Sequence, residues 1–382
     1  MKATGKRVGL SKLNVVDVAQ RTICEHNLAD AVAPVVLMVS GGSDSTALAY
    51  IAADLRAQNL LGPLSLLHVN HKLRGADADA DALFVKCLGA TLGIPTTVVE
   101  IDVAAIAEAE HGNVEAIARR ERYAAAQDAL ADACLHAEVP ISQGRIFVAH
   151  TADDRIENFY MRSIVGTGPG GFRSMRYLNG QVARPLLETS REGLRDYIRN
   201  RAETGATVWR GGEGELWRED ATNEHTDRFR AFVRHAMVPL AYERNPQLAS
   251  TLTRTMNLIA DEDDMLDDMA ASIEHRQVKW LTSASDENGG DTAFDSCLLS
   301  PDLSASPLPL RRRVVVRVLG QLLGPDERID TASVDAVLAG YADQGMNGGY
   351  VANIQGNLAV SANKHGVRVE PMAAFRTRRK RI

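Results

Sequence analysis

The sequence predicts an α/β fold in which a parallel sheet is covered by helices on both faces, followed by a helical region and a small α+β segment. Three observations carry this. Short β-prone apolar runs at "VVLMV" (35–39), "LSLLHV" (64–69), "TTVVEI" (96–101) and "IFVA" (146–149) alternate with Ala-rich helical stretches. After residue 185 the β pattern fades into helical spacing. A helix-like "LPLRRRVVVRVLGQLLG" (308–324) and a β-prone "GGYVANIQGNLAVSANKHGVRVE" (348–370) then close the chain.

The elements follow in order. Residues 13–29, "LNVVDVAQRTICEHNLA", place apolar side chains at helical spacing and predict a leading helix. "VVLMVSGGSDSTALAYIAADL" (35–55) reads as strand, tight turn and helix, and "LHAEVPISQG" (135–144) as a loop before the last strand. "SREGLRDYIRNRAE" (190–203) predicts a helix opened by Ser190 with Glu192 in its first turn. A helical region from about 227 to 281 contains "DEDDMLDDM" (261–269), whose default reading is a solvated face. "LTSASDENGGDTAFDS" (281–296) has linker composition. The expected division is 1–225, 226–300 and 301–382.

Bulk properties narrow the classes. At 382 residues and 45 % hydrophobic composition, the chain supports one large core and a smaller domain. No long apolar run or cleavable leader pattern is read, so a soluble, cytoplasmic protein without a membrane partner is expected. Cys24, Cys87, Cys134 and Cys297 lack metal-ligand spacing and read as buried thiols. The net charge of −6 hides segregation: residues 311–382 hold 12 Lys+Arg against 6 Asp+Glu.

The chemistry begins at "SGGSDS", Ser40 to Ser45. Gly41 and Gly42 let the backbone approach a ligand, Ser40, Ser43 and Ser45 add hydroxyls, and the following helix points its N–H groups at the same place. An anion belongs there. The loop has no lysine of the kind that serves γ-phosphate transfer, and its carboxylate, Asp44, would repel a bare phosphate. A divalent cation between Asp44 and the phosphates resolves the conflict. The loop then holds the β and γ phosphates as a pyrophosphate leaving group, with attack at the α phosphorus. The bland alternative is that Asp44 caps the helix.

The hexapeptide after an apolar strand resembles the PP-loop of the ATP pyrophosphatases, S-G-G-x-D-S, and implies a Rossmann-like nucleotide domain. Four further stretches, "HVNHKLRGADADAD" (68–81), "GNVEAIARRERYAAAQDAL" (112–130), "AHTADDRIENFYMRSIVGTGPGGFRSM" (149–175) and "WREDATNEHTDRFRAFVRHAMVPL" (217–240), together resemble the tRNA(Ile)-lysidine synthetase family over roughly residues 33–245. That resemblance implies ATP and Mg²⁺ as cofactors, and a tRNA(Ile) with a CAU anticodon and free L-lysine as partners. It implies adenylation of the wobble cytidine at its C2 oxygen and attack by the lysine ε-amine. It also allows a homodimer.

Asp153 and Glu157 stand at i, i+4 and Asp154 and Glu157 at i, i+3 on the helix expected after His150 and Thr151, so their carboxylates share a face. Such carboxylates suit an ammonium, and one of them can take the proton an amine must lose before it attacks. Thr151 with Asp154 also reads as a capping box, and both roles can hold at once. The resemblance carries catalytic roles to Asp44, Asp154, Glu157 and Arg119, and lysine binding to Asp153, Asp154 and Glu157. Nucleotide binding is carried to Ser40–Ser45, His68, Arg119 and Arg230, and tRNA contact to Arg122 and Arg234. Asp220 and Asn223 match a further family segment, and "VGTGPGG" (165–171) is a candidate glycine hinge. His68, Asn70 and His71 fall at a strand's C-terminal end, where ligands sit in open α/β sheets.

The basic runs Arg311, Arg312, Arg313 and "RTRRKR" (376–381) are the candidates for tRNA phosphate contact, with a solubilising tail as the alternative for the latter. Arg155, Asn158, Val165 and Ala231 depart from the family's usual residues. The rival functions are a PP-loop tRNA thiolation enzyme, for which no suitable cysteine pair is visible, and a non-catalytic nucleotide- or RNA-binding protein.

Overall fold

The computed structural model describes residues 14–219, 228–282, 295–324, 327–342 and 347–380. Asp220, Asn223 and Arg381 lie outside the described residues. The chain packs as two compact units, Met1–Ala260 and Asp261–Ile382. The division falls inside one long helix, so the 226–300 segment drawn from sequence is shared between the two units.

The first unit opens with helix α1 (Val15–Glu25), capped by the Asn14 side chain. Strands β1 (Val35–Met38), β2 (Leu64–Asn70), β3 (Thr96–Glu100) and β4 (Arg145–Phe147) follow at the places the apolar runs marked. The short strands β5 (Leu178–Asn179) and β6 (Val182–Ala183) complete the sheet in the order β3-β2-β1-β4-β6-β5. The pairings from β3 to β6 are parallel, and only the β5–β6 hairpin is antiparallel.

Alternation along β1 explains the double cover. Val35, Leu37 and Val39 join the core formed with α1 and α2 (Ser43–Ala57), which also holds Leu48, Ile51 and Leu55, together with Leu194 and Ile198 of α7 (Arg191–Glu203). Val36 points to the other face, against Ala126, Leu130 and Cys134 of α5 (Val114–His136). Each such fully buried aliphatic side chain contributes about 1.5–3 kcal/mol. Between β2 and β3 lies α3 (Ala76–Leu92), and α4 (Val103–Glu110) precedes α5.

Strand order reverses direction at β1, with β2 on one side and β4 on the other. The C-terminal ends of β1 and β4 therefore flank a topological switch point, where open α/β sheets bind ligands. The chain leaves β1 into α2 and leaves β4 into α6 (Ala152–Val165). Later come α8 (Arg228–Phe232), a π-helical turn Val233–Met237, α9 (Val238–Arg244) and the long α10 (Leu248–Gln277).

In the second unit, the helical reading of 227–281 fails at its end. Val278–Leu281 forms β7, paired with β8 (Ser296–Leu299), because β-branched and aromatic side chains find a partner strand there. With β9 (Val351–Ile354), β10 (Leu358–Asn363) and β11 (Gly366–Pro371) they make an antiparallel sheet in the order β7-β8-β11-β10-β9. Helices α11 (Leu308–Leu323), α12 (Thr331–Ala339) and α13 (Met372–Arg379) accompany it. Val314, Val315, Val318 and Leu319 of α11 pack with Val360, Val367 and Val369.

The acidic run is also more than a solvated face. Asp263 and Asp267 pair with Arg313, and Glu274 takes Arg317 Nε at 2.6 Å and Gln321 Nε2 at 2.7 Å. Helical spacing on both partners lines up an ionic seam. The unit as a whole holds 14 Lys+Arg against 18 Asp+Glu, so its basic runs sit within a net acidic unit.

Candidate active site

The loop after β1 turns at Gly41, whose φ of +96° is open to glycine at little steric cost. A side chain there would be strained and would also press on Arg218 Cγ, 3.4 Å from the position of a Cβ. Loop hydroxyls bind the loop to itself: Ser40 and Ser45 lie 3.1 Å apart, Ser45 Oγ donates to the Gly42 carbonyl at 3.1 Å, and Thr46 Oγ1 donates to the Gly41 carbonyl at 3.1 Å. Gly42 is the N-cap of α2 and supplies no side-chain cap, which leaves the helix terminus to an anion. Asp44 is not a cap. Its oxygens receive Ser43 Oγ at 3.1 Å and Arg191 Nε at 3.2 Å.

On α6, Thr151 and Asp154 form the reciprocal capping box. Asp154 Oδ2 accepts the Thr151 N–H at 2.8 Å, which leaves Oδ1 to accept Arg191 Nη2 at 3.0 Å. Glu157, buried on the same face, takes both Nε and Nη2 of Arg234, with Arg230 Nε at 3.3 Å and Arg191 Nη1 at 3.6 Å. Asp153 Oδ2 accepts the backbone N–H of Arg191 at 2.8 Å.

Arg191 thus joins the loop carboxylate to the helix carboxylates. It is the first residue of α7, placed by the Ser190 cap, and its side chain is 22 % exposed. Burial raises the Asp44 carboxyl above the usual aspartate range, despite the guanidinium beside it. Burial also works upward on Asp154, but Arg191, His150 and the Thr151 N–H outweigh it and hold that carboxyl low. Arg191 is held more firmly charged than usual: burial opposes the charge, and Asp154, Asp44, Glu157 and Asp153 overcome it.

The remaining predicted residues make contacts of their own. Arg119 and Arg122 flank Tyr123, 5.1 and 5.8 Å from its ring centroid. His68 is buried, with Nδ1 2.9 Å from the Val39 carbonyl, and burial lowers its pKa. This geometry makes His68 a prop for the end of β1. His150 is pushed down to about 4, first by burial, with Arg184, Arg122 and Arg230 adding to the effect against Asp154. Of the three adjacent arginines on α11, Arg312 is exposed while Arg313 is committed to its two aspartates.

Several residues at the site escaped the sequence reading: Arg191, Arg195, Arg218, Asp81 and Arg184. Arg195 Nε donates to Ser43 Oγ at 3.3 Å, and the Arg218 N–H donates to the Gly41 carbonyl at 2.9 Å. Asp81 receives Arg218 Nε at 2.9 Å and Arg74 Nη2 at 2.7 Å. The cations absent from the loop arrive as Arg191 and Arg195 of α7 and as Arg218 from the segment after it. The available signal was the i, i+4 spacing of Arg191 and Arg195.

Two departures gain a structural reason. Arg155 is fully buried and donates to Tyr177 Oη at 3.0 Å and Asn257 Oδ1 at 2.8 Å, so it serves the interior. Asn158 Nδ2 donates to Ser174 O and Oγ, both at 3.2 Å, tying α6 to the short helix Pro169–Arg173. Nothing in the structure explains Val165 or Ala231.

The fold and this loop define an α/β nucleotide-binding protein whose anion cradle carries a carboxylate. The chain belongs to the PP-loop domain family, whose model matches residues 17–241. It is 32 % identical over 315 residues to a tRNA(Ile)-lysidine synthase of Geobacter sulfurreducens, covering 82 % of this chain and 60 % of the relative. It is 32 % identical over 325 residues to a tRNA(Ile)-lysidine synthase of Thermus thermophilus, covering 85 % of this chain and 55 % of the relative. The chain thus spans little more than half the length of the curated relatives it matches. Among solved structures, a U34-tRNA thiolase from Methanococcus maripaludis aligns over 65 % of this chain and 79 % of its own at 16 % identity, with a TM-score of 0.47. No helix of the described residues is long and apolar enough to cross a membrane.

Proposed function

We propose that this chain is an ATP-dependent carbon–nitrogen ligase that forms lysidine at the wobble cytidine of a CAU-anticodon isoleucine tRNA. The observation that carries the reading is the convergence of two acidic groups at one switch point. Asp44 of the phosphate loop and Asp154 of α6 lie within the span of a single guanidinium, 3.2 and 3.0 Å from its nitrogens. Adenylation needs the first and amine delivery the second.

In this reading the N-terminus of α2 and the loop hydroxyls hold the triphosphate, with the α phosphorus toward the base. The C2 oxygen of cytidine attacks that phosphorus and pyrophosphate leaves. The lysine ε-amine, bound by Asp153, Asp154 and Glu157, then forms the C2–N bond. The oxygen departs with AMP, and a carboxylate of α6 takes the amine proton. Arg119 and Arg230 steady the nucleotide, and Arg122, Arg234 and the basic residues of the second unit hold the tRNA backbone.

A hard divalent cation suits the oxygen donors at Asp44 and its neighbouring hydroxyls. Magnesium bound there supplies charge neutralisation of the departing diphosphate. The test is incorporation of labelled lysine with ATP into transcripts of isoleucine and methionine CAU tRNAs. Label in the isoleucine transcript alone is expected; label in neither overturns the proposal.

A further inference from the structure

The basin that the proposed reaction needs for incoming cations already holds one from the chain itself. Arg191 spreads three nitrogens over three carboxylates: Nε on Asp44 at 3.2 Å, Nη2 on Asp154 at 3.0 Å and Nη1 on Glu157 at 3.6 Å. Glu157 is further engaged by Arg234 and Arg230, and Asp154 by its own helix cap. Of the three, Asp44 has the fewest other claims among the described residues, where its remaining hydrogen bond is from the neutral Ser43 hydroxyl.

We propose that Arg191 is a positioning residue acting as a resident counter-cation, which holds Asp44 in place and yields it when a divalent cation enters. This deepens the PP-loop reading and rests on it. A magnesium ion ligated by the Asp44 oxygen that Arg191 holds would sit about 2.1 Å from that oxygen, and so within about 5 Å of the guanidinium nitrogen. Two positive charges that close in a half-buried site repel, and the weaker-held one moves.

The geometry lets the side chain move without disturbing the fold. The Arg191 backbone N–H is pinned by Asp153 at 2.8 Å, and Ser190 caps α7, so the helix start stays fixed. At 22 % exposure the guanidinium has an open side, and Asp154 and Glu157 remain to receive it. A guanidinium rather than an ammonium fits the task, because a planar fork spans separate carboxylates where a point charge serves one.

A purely structural arginine and a competing one predict opposite signs. The experiment titrates Mn²⁺ by electron paramagnetic resonance into protein saturated with α,β-methylene-ATP, at constant ionic strength, for the unsubstituted chain, Arg191→Gln and Arg191→Lys. Competition predicts Mn²⁺ binding about tenfold tighter in Arg191→Gln, and tightening by a smaller factor in Arg191→Lys. Equal or weaker Mn²⁺ binding in Arg191→Gln, with the analogue still bound, overturns the inference and leaves the PP-loop reading standing. If Arg191→Gln does not fold, equal or weaker binding in Arg191→Lys overturns it in the same way. Absence of Mn²⁺ binding in the unsubstituted chain overturns both this inference and the proposed metal-assisted adenylation.

Discussion

Arg234 holds Glu157 through one edge of its guanidinium, Nε to Oε1 at 2.7 Å and Nη2 to Oε2 at 3.0 Å. The arginine lies in the π-helical turn Val233–Met237 and the glutamate, 2 % exposed, in α6. Bidentate geometry fixes the carboxylate's plane as well as its distance. Removing Glu157 leaves Arg234, Arg230 and Arg191 facing one another without their shared counter-charge. Glu157→Gln is expected to lower unfolding stability by about 2–3 kcal/mol, less than a fully buried pair because the arginines are partly exposed. Urea unfolding measures it, and a change under about 0.5 kcal/mol contradicts the shared-anion role. In turnover, the same variant should chiefly impair lysine use.

Asp44 is different in kind, because among the described residues it accepts from one hydroxyl and one guanidinium and it caps no helix. Asp44→Asn keeps the shape and removes the charge. Pyrophosphate release should fall by about a hundredfold or more while the melting temperature stays within a few degrees. Retained release with tRNA and ATP would show that the loop does not act through its carboxylate.

His150 gives a pH signature. Its pKa falls from 6.5 to about 4, chiefly because burial disfavours the imidazolium. Between those values the unfolded chain binds a proton that the folded chain refuses, so stability rises with pH across the window. The contribution is complete above about pH 6.5 and is lost as the pH falls toward 4, with a ceiling of about 3 kcal/mol. Thermal unfolding from pH 7.5 to 4.5 should show a shallower acid loss in His150→Asn than in the parent. Superimposable profiles would remove His150 from the account.

The arginines of α11 separate into two roles. Arg312→Ala should leave unfolding unchanged and reduce the slope of log affinity for tRNA against log salt by about one. Arg313→Ala should do the reverse, because it removes the guanidinium that pairs with Asp263 and Asp267 on α10. Filter binding at several salt concentrations, with unfolding measured in parallel, distinguishes them. Equal salt slopes for Arg312→Ala and the parent would remove this face from the RNA-binding proposal.

The sequence by itself determined what depends on near neighbours. Four apolar runs became the parallel strands, a Gly-Gly turn became the link from β1 to α2, and Ser190 and Thr151 began α7 and α6. Periodicity and caps act over a few residues, so they can be read along the chain. Only the tertiary structure decided which charges meet. Arg191 reaches Asp44 across 147 positions and Asp154 across 37, and the acidic run on α10 turned out to answer Arg313, 46 and 50 positions away. Coulomb attraction and hydrogen bonding depend on distance in space, and no local rule gives that distance until the sheet has set where its loops end.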